Sequence, residues 1–214
     1  MTERTRPRRP AIIEPDMLEY LEGDEDPQMS REAAHTTARA LVPAKNGEWT
    51  DPDPQVLDRL LEIIETEGVD PLASLWASSP PETLPGVLWR LVLIKQWATR
   101  DPELLRNRHA QGLAATELGA LLDPKVAKTI DLDEWIAQLT SLLNGTFAGD
   151  FAALLTTTAQ ELRVLAAHVA FGPNWITDSA DTLATPITVR DSALLTTAKE
   201  LEAAAQRYSD GRLD

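Results

Sequence analysis

The chain has no cysteine among its 214 residues. That excludes disulfides, thiolate metal sites and cysteine nucleophiles, and it fits a reducing cytoplasm, where the protein is expected. Aromatics other than tryptophan are scarce, with three phenylalanines and two tyrosines beside six tryptophans. Tryptophan must therefore supply most of the aromatic bulk of any core. The ten glycines fall mostly where helices are expected to end. None forms a G-x-S-x-G elbow or a phosphate-cradling strand-to-helix loop, so hydrolase and phosphoryl-transfer signatures are both missing.

Long hydrophobic runs are missing too. A membrane span needs about 20 apolar residues with few charges. The strongest apolar stretch, LPGVLWRLVLIKQWATR at 84–100, is broken by Arg90 and Lys95. At the start, MTERTRPRRP is followed only by AIIEPDML, too short and too acidic for a signal-peptide core. A soluble protein without a membrane partner is the expectation.

Positive charge is the remaining shortage. Twenty basic residues face 34 acidic ones, a formal net charge of −14. A field of that sign repels phosphate backbones, so nucleic acid is disfavoured as a partner. The charge is unevenly spread. Residues 1–10 carry four arginines against one glutamate, residues 11–32 eight acids against Arg31, and residues 51–70 seven acids against Arg59. Residues 1–29 also hold Pro7, Pro10, Pro15 and Pro27 with little apolar periodicity, which reads as a flexible arm. It is either a solubilising tail or a partner-binding arm anchored by Met17, Leu18, Tyr20 and Leu21.

What is present reads as helix from Ser30 onward, a residue suited to cap REAAHTTARALV. Asp53-Pro54, Asp70-Pro71 and Asp101-Pro102 repeat one start device, an amide-accepting aspartate before a proline. Asp131 and Glu134 resemble a capping box, and Gly68 and Gly145 stand where helices should stop. The segment beginning at Asp101 is expected to end near Leu113. A long helix is expected over 148–171, and a last one opens at Thr188. No stretch alternates with period two for long enough to make a strand. The expected fold is all-α, a bundle-like domain of seven to nine helices over 30–214, with 84–100 as its central helix. In that helix Arg90 lies beside the apolar arc and needs an acidic partner or a route to solvent. The stripe from Leu194 to Tyr208 can pack internally or against a second copy, which would make a homo-oligomer.

Several side-chain groupings are candidate sites. Trp76, Trp89 and Trp97, with Arg90 among them, are either core or the lining of an apolar pocket. Arg100, Arg106, Arg108 and His109 form the densest cationic cluster outside the arm. They could hold an anion or an acidic partner, or simply complement the C-terminal dipole of a short helix. Glu32 and His35 share the spacing of a di-iron Glu-x-x-His pair, but Arg106 and Leu165 stand at the matching positions before His109 and His168, so no metal is expected. No cofactor is implied. LAATELGALLDPKVAKTI, residues 113–130, outlines a helix-turn-helix, yet acids follow where a phosphate backbone would pass. Carboxylates such as Glu62, Glu65 and Glu161 acquire a role only if folding brings them together. The functional expectation is a non-catalytic interaction or regulatory protein acting through protein–protein contacts. The alternative is a small-molecule-binding helical sensor with a tryptophan-lined pocket.

Overall fold

The computed structural model describes residues 27–42, 54–120, 131–167 and 191–214. Met17, Leu18, Tyr20, Leu21, Trp49, His168 and Trp175 lie outside the described residues. The described chain forms eight helices: α1 (Pro27–Leu41), α2 (Pro54–Glu67), α3 (Asp70–Trp76), α4 (Leu84–Arg100), α5 (Pro102–Ala120), α6 (Leu132–Leu143), α7 (Phe151–Ala167) and α8 (Asp191–Ser209). There is no strand among the described residues. The fold is all-α.

The helix starts follow short-range hydrogen-bond chemistry. Asp101 Oδ1 accepts from Leu104 N at 3.0 Å, and Asp131 Oδ1 from Asp133 N and Glu134 N at 2.9 and 3.2 Å. Asp150 does the same for Ala152 and Ala153 at the start of α7. Glu134 does not complete a capping box in any bond seen here. Its Oε1 accepts from Gln138 Nε2 one turn on.

Two starts and one end differ from expectation. Ser30 is not a cap, because α1 already begins at Pro27, where proline tolerates the first turn. Asp70 is the first residue of α3 rather than its cap; Val69 takes that place without a side-chain bond. The Asp70 carboxylate is thereby released for a tertiary contact. The Asp101 helix also does not end near Leu113 but runs unbroken to Ala120.

Gly112 explains that continuity. A Cβ there would stand 2.1 Å from Val164 O, so glycine serves as a backbone contact where α5 crosses α7, not as a helix end. Gly86 plays a similar part in α4, where a Cβ would meet Pro80 O at 1.9 Å. Gly68 and Gly145 do end their segments, with φ of 81° and 70°.

Packing follows from the apolar faces. α4 touches α1, α3, α5, α6 and α8. Leu84, Val87, Leu88, Leu91, Val92 and Ile94 are all fully buried on it. Leu88 and Val92 lie off the main apolar arc, so burial on those sides too is what a helix apolar around most of its girth requires. Arg90 finds its acidic partner in Glu200 of α8, Nε to Oε2 at 2.6 Å, and also donates to Gly86 O.

The most extensive helix pairing is α7 with α8. Leu194, Ala198, Leu201, Ala205 and Tyr208 are buried, so this stripe packs within the chain. Arg163 and Glu202 close the same pair with a two-pronged ion pair. Tyr208 meets Phe151 edge-on, centroids 5.1 Å apart. Burial, and secondly the Asp150 carboxylate, push the Tyr208 phenol above its ordinary value.

Candidate functional site

Two places in the structure gather polar side chains in arrangements that a simple core does not need. The first is a groove between α3 and α4. Its register is set by one bond, Gln96 Nε2 donating to Asp70 Oδ1 at 3.1 Å. The start of α3 therefore lies by the end of α4, and Ala77, just past α3, faces toward Trp89 near the start of α4. At 100° per residue, Trp89, Gln96 and Arg100 fall within an arc of about 40° on α4 and span about 16 Å along it. Across from them α3 presents Asp70, Ala73 and Ser74.

These residues line an open groove of about 830 Å³, with Thr99 beside Arg100. Its width has a simple cause. Small side chains at 73, 74 and 77 face a tryptophan that is only partly buried, so the two helices do not interdigitate there. The groove is also graded. Trp89, Ala73 and Ala77 make one end apolar, while Asp70, Gln96, Thr99 and Arg100 make the other polar.

The second place is inside the α5–α7 contact. Glu161 is completely buried, and one of its carboxylate oxygens lies 2.8 Å from His109 Nε2. One residue away, Arg108 is 4% exposed and donates from Nε to Leu165 O at 2.9 Å. On the same helix Thr158 accepts from the indole of Trp135 at 3.0 Å. The bonds of Arg108 Nε to Leu165 O, His109 to Glu161 and Trp135 to Thr158 tie α5 and α6 to α7. No group of three or more metal-ligating side chains occurs among the described residues.

The candidates read from sequence are dispersed by the fold. Trp76 is fully buried, and its Nε1 donates to Thr37 Oγ1 at 3.0 Å. Trp97 is 8% exposed and belongs to the core. Arg90 is engaged with Glu200. Of the expected tryptophan pocket, Trp89 lines the α3–α4 groove.

The cationic cluster is divided in the same way. Arg100 lines the groove, and Arg106 reaches Asp133 of α6 at 3.1 Å on the surface. Arg108 and His109 turn inward to α7. A dipole at the end of a short helix does not account for them, because all but Arg100 sit in the first half of a 19-residue helix. His35 lies 3.9 Å from Asp214 rather than beside a metal-ligand set.

Sequence reasoning passed over Ser74, Ala77, Gln96 and Thr99. A weak signal for them did exist: Gln96 and Arg100 follow Trp89 at seven and eleven positions on one helical line, a polar stripe on an otherwise apolar helix. Against known proteins, the chain matches no family model, no curated protein and no solved structure.

Proposed function

We propose that this chain is a binding protein whose ligand is a small molecule held in the α3–α4 groove. The observation that carries the reading is Trp89, a partly buried indole at the apolar end of a groove whose other end is polar. Aromatic surface with a few converging polar groups is the usual make-up of a ligand site, and about 830 Å³ lies within the customary size range. The reading keeps the sensor alternative drawn from sequence but uses one tryptophan in place of three.

Its test is thermal unfolding against a broad metabolite library, with Trp89→Ala as the paired variant. A ligand present at about 100 times its dissociation constant should add about 2.7 kcal/mol of stability. The expected result is a hit that raises the Tm of the native chain and leaves that of Trp89→Ala unmoved. Hits that stabilise both equally would place binding elsewhere.

A second reading, contact with an acidic protein segment, is supported by α1. Arg31 and Arg39 lie eight positions apart on one side of that helix with His35 midway between them, two fixed cations on an otherwise acidic chain. A carboxylate already rests on it, because Asp214 pairs with Arg39 and approaches His35. The corresponding expectation is that a fluorescent glutamate-rich peptide binds in low salt, and that Arg31→Glu weakens it severalfold. Binding that ignores both salt and this substitution would refute the reading.

A further inference from the structure

The hydrogen bonds already made inside the groove decide which charge it selects. Ser74 Oγ gives its proton to Asp70 O, at 3.0 Å. Thr99 Oγ1 lies 3.0 Å from the carbonyls of both Lys95 and Gln96, which take its proton. A hydroxyl has one proton, so both oxygens offer only lone pairs to the groove. The Asp70 carboxylate can only accept, so the Gln96 amide nitrogen faces it and Gln96 Oε1 is left as an acceptor. Acceptors therefore outnumber donors where Asp70, Ser74 and Gln96 line the groove.

Asp70 is the charged member of this set. Among the described residues no cationic side chain forms an ion pair with it, and its side-chain bond is to a neutral amide. Arg100 lines the same groove but is already engaged with a partner of its own. It stands one turn past Gln96, about 6 Å further along α4 and on the side away from Trp89. In the other direction the lining becomes apolar through Ala73 and Ala77. Seven residues separate Gln96 from Trp89, about 10 Å along the helix axis.

We propose that the α3–α4 groove binds a primary alkylammonium whose apolar or aromatic group lies about 10 Å from the charge. The ammonium donates to Asp70, Ser74 Oγ and Gln96 Oε1, three acceptors for its three N–H bonds. The apolar body crosses Ala73 and Ala77 and covers the Trp89 ring. An anionic ligand would meet the Asp70 carboxylate and the field of a chain carrying −14, which draws cations instead. A neutral ligand would desolvate Asp70 without supplying a countercharge. This inference rests on the groove being the binding site and adds the charge and length of its ligand.

The test is calorimetric titration of the full chain in low salt with three probes that share one ring and one linker: 4-phenylbutylamine, 4-phenylbutanol and 4-phenylbutyrate. A carboxylate–ammonium pair in an open groove should contribute about 5-fold in affinity. The amine is expected to bind most tightly, the alcohol more weakly by about that factor and the carboxylate more weakly still. Asp70→Asn keeps an acceptor for Gln96, so it should weaken the amine about 5-fold and change the alcohol little. Trp89→Ala should weaken amine and alcohol alike. An alcohol or carboxylate that binds as tightly as the amine, or an amine indifferent to Asp70→Asn, overturns the ammonium; if Trp89→Ala still weakens binding, the groove stands. Amine binding that ignores Trp89→Ala, or no binding by any probe, overturns the proposal. A library hit of another class that does depend on Trp89 would then rescue the groove alone.

Discussion

Replacing His109 with leucine should lower the unfolding free energy by about 1–3 kcal/mol, the usual cost of removing one hydrogen-bond partner from a buried polar group. The cause is local. Glu161 is fully buried, and the substitution takes away the imidazole that lies 2.8 Å from its carboxylate. Water cannot readily replace that bond at a fully buried site, so its loss is not made good. Glu161→Leu alone should cost less, because it removes the fully buried carboxylate itself. The double variant His109→Leu/Glu161→Leu should recover most of the deficit, since apolar side chains of similar size often replace a buried pair without loss. Urea unfolding of the four chains measures the coupling directly. A His109→Leu chain within about 1 kcal/mol of the native one would show that the pair contributes little to joining α5 and α7.

The second large effect separates two tryptophans that look alike in sequence. Trp76→Ala should cost about 3–5 kcal/mol, from the cavity left by a fully buried indole. Its hydrogen bond to Thr37 Oγ1 is lost as well, and with it one tie between α3 and α1. Trp89→Ala should cost clearly less, because that ring is only partly buried and water can fill the space it leaves. For a chain of this length each kcal/mol moves the Tm by about 2–4 °C. Thermal scans should then show Trp76→Ala lower by roughly 6–20 °C, with Trp89→Ala lowered clearly less. Equal shifts would mean that Trp89 is as much a core residue as Trp76, and the groove would lose its central side chain.

The two pairs of sites also show where sequence reading stops. Asp101 and Asp131 were legible as helix starts because a cap joins residues only two or three positions apart. Asp70 carries the same Asp-Pro signature yet is used differently, since α3 begins one residue earlier and Gln96 supplies the contact from 26 positions away. The segment from Asp101 is expected to end near Leu113, and glycine disfavours helix interiors, yet Gly112 lies inside a helix that runs to Ala120. What overrides that local preference is the Val164 carbonyl of another helix, which leaves no room for a Cβ. Arg106, Arg108 and His109 form one cluster along the chain. Successive residues point about 100° apart on a helix, so the cluster divides between a surface pair with Asp133 and buried contacts with α7.

Local chemistry thus determined the all-α class, several helix boundaries, the apolar girth of α4 and the need of Arg90 for an acidic partner. Each depends on spacings of a few residues, which the order of amino acids states outright. The tertiary structure alone decided which tryptophan faces a groove, that Asp70 meets Gln96, and that Glu161 is buried against His109. Those outcomes depend on how helices far apart in the chain come to cross. A side chain's neighbours across such a crossing are set by the packing of whole faces rather than by its own surroundings in sequence.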